Sequence, residues 1–383
     1  MQPTGVIETA KATNPLAKLP NFGQSVWLDY IRRDLFATGE LKRLIEEDGL
    51  RGMTSNPSIF EKAIVDSPYY QETLKSLESR KDLDANGRYE ILAIRDIQDA
   101  ADILRPVYER TNWRDGYVSL EVSPLLARDT EATLKEARRL WKAVNRENVM
   151  IKVPGTTEGI PAFQQLIGEG INVNVTLLFA QEVYEKVADA YVAGVEKLAA
   201  NGGNPKKIAS VASFFISRID TLVDSMVNDK LKTAPQQKAD LQSVLGKVAI
   251  ANGKQTYARY QRIFGTDRWK KLTAKGAQTQ RVLWASTSTK NPNYRDVMYV
   301  EELIGPDTVN TMPPATVDAF RDHGKPRVSL TEDVAGANRI METVAKVGIS
   351  MKEVTDNLTE DGVRQFSDAF NKLMKAVEKT TNS

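Results

Sequence analysis

Residues 148–156, NVMIKVPGT, place a lysine inside an apolar run. The flanking Met, Ile and Val residues indicate a short buried strand, which a Pro-Gly pair ends. A buried ammonium group is costly unless it is paired or gives up its proton. Lys152 therefore has two interpretations: its head group reaches water at the end of a strand, or it performs chemistry.

Polar residues on two neighbouring strand candidates follow the same pattern. Side chains alternate along a strand, so the apolar residues of YVSLEV (117–122) and INVNVTL (171–177) share one face and their polar residues share the other. If the apolar faces lie under helices, one barrel interior receives Lys152, Glu121, Asn174 and Thr176. These residues stand close to the carboxyl ends of their strands, where barrels of this type carry their active sites.

A lysine removed from water is suited to one reaction in particular. Its neutral amine attacks a carbonyl and forms a Schiff base, which withdraws electrons and lets a neighbouring C–C bond break. Such a reaction needs a proton carrier close by. The sequence offers Glu121, Asp29 and a water held by Thr176 for that role.

Short apolar runs alternate with helical patterns along most of the chain. Strands are predicted at 25–29, 50–54, 117–122, 148–153, 171–177, 208–215, 281–286 and 307–312, and helical spacing is clear at 131–144 and 181–200. Eight strands with helical connections predict parallel βα units and a (β/α)8 TIM barrel. A doubly wound open sheet is the alternative, but neither of its glycine-rich phosphate fingerprints occurs.

Three further segments complete the predicted architecture. Residues 1–20 form an N-terminal extension, 220–280 add helices between the sixth and seventh strands, and 331–378 form a helical C-terminal tail. No repeat, low-complexity tract or interdomain linker interrupts the pattern. Residues 1–383 are therefore predicted to form one domain.

Composition narrows the possible chemistry. The chain has no cysteine, one histidine and a net charge of +2 with both signs interspersed, so thiolate sites and a basic nucleic-acid footprint are excluded. His323 precedes Gly324 and Pro326, where it indicates a helix end and a favourable dipole partner. No run reaches signal-peptide or membrane-span character, so we expect a soluble, cytoplasmic protein.

Around these residues the sequence resembles the transaldolase family. TSNPSIF (54–60) resembles the second-strand motif, VMIKVPGT the lysine strand, INVNVTLLFA (171–180) the fifth-strand motif and ASFFISRID (212–220) the sixth-strand motif. The length, the inserted helices and the tail resemble its longer bacterial subgroup. The chain is too short to carry the isomerase domain that is fused to some relatives.

The resemblance implies a role for each matching residue. Lys152 is the Schiff-base lysine, Asp29 the acid–base aspartate, and Glu121 acts through a water held by Thr176. The implied substrate-binding residues are Asn56, Asn174, Ser213, Phe215 and Arg218. One departure is clear: WASTSTKNP on the seventh strand offers Ser286, Ser288 and Lys290, where much of the family has a second phosphate-binding arginine.

The implied reaction is transfer of a dihydroxyacetone unit from sedoheptulose 7-phosphate to glyceraldehyde 3-phosphate, in the pentose phosphate pathway. It needs no metal or organic cofactor, and its partners are sugar phosphates, with the protein a monomer or homodimer. One rival is an aldolase of the fructose-6-phosphate type, which releases free dihydroxyacetone. The other is a catalytically silent barrel, which would have no reason to keep the polar face.

Overall fold

Eight parallel strands in the computed structural model, which describes residues 14–380, close into a barrel in chain order. They are β1 Gln24–Asp29, β2 Leu50–Thr54, β3 Tyr117–Glu121, β4 Val149–Pro154, β5 Val173–Leu178, β6 Ser210–Phe215, β7 Arg281–Ala285 and β8 Thr308–Met312. The predicted barrel is confirmed, and the open doubly wound sheet is wrong. The predicted strand ends differ from these bounds by at most two residues.

The start of β6 shows why such ends shift. The pattern predicted a strand from residue 208, but the ladder begins at Ser210. The amide N–H of Ala209 donates to the side-chain oxygen of Asn172 at 2.9 Å. A side chain has therefore replaced a backbone partner, which hydropathy alone does not reveal.

Helices surround the barrel. They are α1 Pro15–Lys18, α2 Arg33–Ala37, α3 Glu40–Glu47, α4 Pro57–Asp66, α5 Gln71–Leu77, α6 Ala85–Arg110, α7 Thr130–Val144, α8 Gly159–Gly168, α9 Gln181–Ala200, α10 Ser217–Thr233, α11 Lys238–Val244, α12 Val248–Phe264, α13 Asp267–Thr273, α14 Met298–Glu301, α15 Pro314–His323, α16 Val334–Lys346 and α17 Met351–Thr380. Over residues 14–380, no helix combines the length and apolar character needed to cross a bilayer.

The predicted helical segments are confirmed. Helices α7 and α9 match the periodic stretches, α10 to α13 occupy the insertion between β6 and β7, and α16 and α17 form the tail. Of the predicted N-terminal extension, residues 1–13 lie outside the described part of the chain. Leu16 and Leu19, which follow, are fully buried.

Helix α7 illustrates how local sequence sets these boundaries. Asp129 caps its first turn by accepting a hydrogen bond from the Ala132 N–H, and Asn145 ends it in the left-handed conformation, at φ 48°. Between the caps, the residues at three- and four-residue spacing are buried, namely Thr133, Leu134, Ala137, Leu140 and Val144. This stripe packs α7 onto the sheet.

A large and a small residue fill the middle of the barrel together. The Trp27 ring is fully buried and lies against Gly52 of the neighbouring strand. A Cβ atom on Gly52 would come within 2.5 Å of that ring. Glycine is therefore required at this position, because any side chain would compete with the indole for the same space.

An ion pair closes the amino-terminal end of the barrel. Arg281 donates to Asp115 at 2.7 Å and to the Ser25 hydroxyl at 2.7 Å, and Ser25 donates to Asp115 at 2.7 Å. Burial alone would raise the pKa of Asp115, but the Arg281 charge and these hydrogen bonds hold that pKa below its ordinary value. The pair therefore stabilises the fold at neutral pH, and this contribution is lost as the pH falls through that lowered pKa.

We expect Asp115→Asn to lower the free energy of unfolding by about 3–5 kcal/mol at pH 7, because it leaves the buried Arg281 charge unpaired. Urea unfolding measures this loss. Asp102→Asn is the matched control, since Asp102 pairs with Arg146 at 2.6 Å on the exposed surface and should cost less than about 1 kcal/mol. Equal losses in the two variants would contradict a structural role for the buried pair.

Candidate active site

The carboxyl ends of the strands bring the predicted lysine and its proton carriers together. The register pairs Glu121 of β3 with Lys152 of β4, and Lys152 with Asn174 of β5. Asp29 ends β1 on the same rim. Parallel strands in register therefore place side chains from positions far apart in the chain in one interior.

The Lys152 side chain is held in a largely buried position. The residue is 5 % exposed, and its Nζ donates to the Ser55 carbonyl at 3.0 Å. Glu121 Oε2 lies 3.4 Å from the same nitrogen, and the two side chains are 6 % and 7 % exposed. The amine faces the barrel interior rather than reaching water, so the interpretation of Lys152 as a snorkelling strand-end residue is wrong.

Both nearby carboxyl groups hold protons more tightly than ordinary ones. Burial raises the pKa of Glu121, and the Lys152 charge only partly opposes it. Burial also raises the pKa of Asp29, opposed by a hydrogen bond from Thr54 and by the charges of Lys152 and Lys290. A carboxyl group whose pKa is raised keeps its proton more readily, which suits it to acid–base catalysis.

Asp29 is fixed by a chain of hydroxyl groups. Thr54 Oγ1 donates to Asp29 Oδ1 at 2.7 Å, and the Thr311 hydroxyl lies 2.7 Å from Thr54 Oγ1. Since Thr54 gives its proton to Asp29, it accepts from Thr311. The pattern of strand ends did not single out either threonine.

Thr176 and Asn174 lie at different depths. The buried Thr176 hydroxyl has no hydrogen-bond partner among residues 14–380 and lines the cavity, as does the Lys152 side chain. Asn174 does not line it; its amide donates to Ser119 at 3.1 Å and accepts from Ser213 at 2.7 Å. Asn174 therefore supports Ser213, which does reach the cavity, from the layer below.

These side chains surround a cavity of about 230 Å³. Its walls include most of the predicted site residues, namely Asp29, Asn56, Lys152, Thr176, Ser213, Phe215, Arg218, Ser286 and Lys290. Glu121 lies behind Lys152, facing it from a neighbouring niche that includes Tyr89 and Phe370. The geometry thus brings two amines, the Asp29 carboxyl group and several hydroxyls around one small chamber, with the Glu121 carboxyl group behind Lys152.

Two cations stand at one side of the chamber without a carboxylate partner. Among the ion pairs of residues 14–380, neither Arg218 nor Lys290 takes part, and Arg218 Nη1 is buried with no hydrogen-bond partner. Burial lowers the pKa of both groups; the Arg218 charge lowers that of Lys290 further, and Asp361 partly opposes the shift at Arg218. Such a pair favours binding of an anion.

The loop after β7 supplies further polar residues on this side of the chamber. Ser286 adopts the left-handed conformation, at φ 55°, and its hydroxyl lies 2.9 Å from that of Ser217 at the start of α10. Lys290 donates to Ser288 Oγ at 2.7 Å. All three candidate residues of this loop line the cavity, so the structure brings Ser286, Ser288 and Lys290 together rather than selecting one.

Asn56 and Phe215 have structural contacts as well as cavity positions. The Asn56 side-chain oxygen caps α4 by accepting from the Ile59 N–H at 3.0 Å, which leaves its amide nitrogen as a donor. The Phe215 ring lies under Arg218, whose guanidinium carbon is 5.3 Å from the ring centre. This stacking positions the arginine without neutralising it.

Sequence reasoning missed five residues of the cavity wall, namely Thr54, Ala285, Thr311, Pro313 and Phe366. Thr54 ends β2 and Thr311 is the last but one residue of β8, so the strand-end rule could have found both threonines. Phe366 lies on α17, more than two hundred residues after Lys152, and its spacing is that of an ordinary buried helix face. No sequence signal separates it from a core residue.

His323 lies outside the chamber, as the sequence predicts. It is the last residue of α15, and its ring nitrogens lie 3.0 Å from Asp322 and 2.9 Å from Asp296. Hydrogen bonds to Asp296 and Asp322 raise its pKa. Between residues 14 and 380, no group of three or more acidic or histidine side chains could hold a metal ion.

The comparisons with known proteins agree on one family. The model of the transaldolase/fructose-6-phosphate aldolase family matches residues 26–377. A transaldolase of Trichodesmium erythraeum is 48% identical over 371 residues, covering 96% of this chain and 97% of the relative. "Transaldolase 2" of a Nostoc species is 49% identical with the same coverage, and a transaldolase of Thiobacillus denitrificans is 46% identical over 93% of this chain and 97% of its own.

We expect Thr54→Val to raise the pKa of Asp29 by about one unit, since a hydrogen bond to a charged group contributes about 1.5–3 kcal/mol and water recovers part of it. NMR titration of ¹³C-labelled aspartate carboxyl groups measures the shift, with Asp29→Asn assigning the resonance. Thr256→Val is the control, because the buried Thr256 hydroxyl donates to Asn252 O within α12. An unchanged Asp29 titration would show that Thr54 does not stabilise the carboxylate.

Proposed function

The chain belongs to the transaldolase/fructose-6-phosphate aldolase family, and we propose that it transfers a dihydroxyacetone unit from sedoheptulose 7-phosphate to glyceraldehyde 3-phosphate. The products are erythrose 4-phosphate and fructose 6-phosphate. One observation carries the proposal: the Lys152 amine is buried at the carboxyl end of the barrel, 3.4 Å from Glu121 and in the same chamber as the anion site. This makes the protein a transferase that works through a lysine Schiff base.

Lys152 begins the reaction by attacking the ketone carbon of the donor. The chamber is small and lined by Lys152, Thr176 and Phe366, so the reacting carbonyl meets few waters. Glu121 faces the same nitrogen and gives a proton to the departing hydroxyl as the carbinolamine dehydrates. The unpartnered Thr176 hydroxyl supports this step by binding a water between the two groups.

Asp29 acts on the far side of the Schiff base. Its carboxylate removes the proton of the C4 hydroxyl as the C3–C4 bond breaks, and returns a proton to the acceptor carbonyl when the new bond forms. The Thr54 hydrogen bond at 2.7 Å supports this role, because it favours the charged form and fixes the direction of the carboxylate. The raised pKa of Asp29 brings the two protonation states closer in free energy.

The phosphate end of the substrate binds at Arg218 and the β7 loop. The guanidinium offers a two-pronged donor, and Lys290 adds a second positive charge in place of the arginine that much of the family carries. The hydroxyls of Ser286 and Ser288 complete the site as neutral donors. Asn56, Ser213 and Phe215 then hold the carbon chain and its hydroxyls, and Asn174 acts through Ser213.

The aldolase rival uses the same lysine but releases free dihydroxyacetone. The curated relatives cited above are named as transaldolases over nearly their full length, so the rival is not favoured. The silent-barrel rival would not explain a buried amine facing unpartnered cations across one chamber.

We further infer a place in the non-oxidative pentose phosphate pathway of the cytoplasm. The protein would act on sugar phosphates as a monomer or homodimer and without a cofactor.

Lys152→Ala is expected to abolish turnover, because Lys152 is the chamber amine that lies 3.4 Å from a carboxyl group, while Lys290, the other amine, donates to Ser288. Incubation with fructose 6-phosphate and borohydride, followed by intact mass and peptide mapping, should give a reduced three-carbon adduct on Lys152 in the natural protein and none in the variant. Lys254→Ala is the matched control, since Lys254 is 7 % exposed and bonds Glu332 O away from the chamber. An adduct that persists in Lys152→Ala would rule out this mechanism.

Arg218→Ala is expected to lower kcat/KM for phosphorylated donors by about 10²-fold or more, because two charge-assisted hydrogen bonds contribute about 1.5–3 kcal/mol each. Dihydroxyacetone itself, which has no phosphate, should lose far less. For phosphorylated donors, kcat/KM of Arg218→Lys should lie between those of the natural protein and Arg218→Ala, since lysine keeps the charge but not the two-pronged donor geometry of the guanidinium. Equal losses for phosphorylated and unphosphorylated donors would show that Arg218 does not bind the phosphate.

A further inference from the structure

We propose that Phe366 of α17 decides whether the Lys152 intermediate reacts with an aldehyde or is discharged as free dihydroxyacetone. This inference rests on the proposed function and assigns a specificity-determining role to a residue outside the barrel strands. Phe366 is 7 % exposed and lines the chamber opposite the polar strand ends. Its ring centre lies 5.8 Å from Lys152 Nζ.

Helix α17 reaches this position by crossing the carboxyl end of the barrel. It packs against α4 and α6 on one side and α10 on the other, and it touches the end of β5. The chamber therefore has an apolar wall that comes from the C-terminal tail rather than from a strand. Without this ring, no side chain of α17 would close the chamber beside Lys152, and only the side chains on the strand side would bound it.

Close packing around Phe366 fixes the helix in place. One turn earlier, Gly362 lies against Leu177, the residue after Thr176, and a Cβ atom on Gly362 would come within 2.8 Å of the Leu177 side chain. Leu177 itself has φ 61°, a left-handed conformation that costs a leucine free energy. The strand end and the helix thus fit each other at this point.

An ion pair adds a second attachment. Glu360 pairs with Arg128, which lies between β3 and α7 on the Glu121 side of the barrel. Asp361, the next residue, influences the pKa of Arg218 and so lies on the phosphate side. The turn before Phe366 therefore connects the two halves of the proposed site.

The intermediate has two fates that differ in one bond. In transfer, the enamine carbon forms a C–C bond with the aldehyde carbon, and the aldehyde oxygen takes a proton from Asp29. In release, the same carbon takes a proton instead and the imine is restored. Water then adds to the imine carbon, the C–N bond breaks, dihydroxyacetone leaves, and Lys152 regains its amine.

An aromatic ring beside Lys152 Nζ favours the first fate because it excludes water from that side of the enamine. Fewer protons then reach the enamine carbon before the aldehyde arrives. A smaller side chain would lose this shielding while leaving Asp29, Glu121 and the anion site unchanged.

Leu373 provides a control on the same helix. It is fully buried in the tail, about two turns after Phe366. It lines neither the chamber nor the niche that holds Glu121. Phe370 is not suitable as the control, because its ring lines that niche. Removing either Phe366 or Leu373 costs packing in the tail, but only the loss of Phe366 opens the chamber.

The test measures the ratio of released dihydroxyacetone to transferred product, with fructose 6-phosphate as donor and erythrose 4-phosphate as acceptor. Phe366→Ala should raise this ratio about tenfold, because water then reaches the enamine carbon. Phe366→Leu should restore most of the natural ratio, and Leu373→Ala should leave it unchanged. If Phe366→Ala does not fold, the series Phe366→Met and Phe366→Val carries the same comparison.

Two results would overturn the inference. One is a ratio within about twofold of the natural one in every folded Phe366 variant. The other is an equal rise in Leu373→Ala, which would indicate general loosening of the tail. Borohydride trapping on Lys152 separates this failure from that of the proposed function. If Lys152 is trapped but the ratio of released to transferred product is unchanged in the Phe366 variants, only the role of Phe366 is ruled out. If Lys152 is not trapped in the natural protein, the Schiff-base mechanism itself is ruled out.

Discussion

The burial of one amine at the carboxyl end of the barrel is the constraint on which the rest of the site depends. An ammonium group taken from water must be compensated by partners or lose its proton. Here the partners are the Ser55 carbonyl at 3.0 Å and the Glu121 carboxyl group at 3.4 Å, and both are themselves buried. The burial that surrounds Lys152 also raises the pKa of Glu121 and Asp29, so one environment acts on the proposed nucleophile and on its proposed proton carriers.

Charged groups at the two ends of the barrel differ in whether protein partners satisfy them. At the amino-terminal end, Arg281 and Asp115 pair fully and leave no charge unsatisfied between them. At the carboxyl end, Arg218 carries a buried donor without a protein partner. A fold tolerates such unpaired groups where a ligand supplies the missing interaction, and it compensates with well-satisfied pairs elsewhere. This division is what the known arrangement of (β/α)8 barrels leads one to expect.

The fold could be predicted largely from periodicity. Strands of alternating or continuous apolar residues and helices of 3.6-residue spacing predicted the closed barrel, the inserted helices and the tail, with strand ends in error by at most two residues. Polar residues at strand ends predicted the chamber, because strands that close into a barrel bring those ends together whatever their separation in the chain. The roles of single residues came from family resemblance, and their contributions to catalysis stay predictions.

The sequence by itself determined which chemistry was possible: one lysine in an apolar strand, with carboxyl and hydroxyl groups at matching positions and neither cysteine nor a catalytic histidine. Only the tertiary structure decided depth and neighbours. It placed Asn174 below the chamber, Thr54 against Asp29, and Phe366 beside Lys152. Periodicity defines which face of an element is buried, but the point where α17 crosses the barrel depends on how it packs against helices and loops from distant parts of the chain.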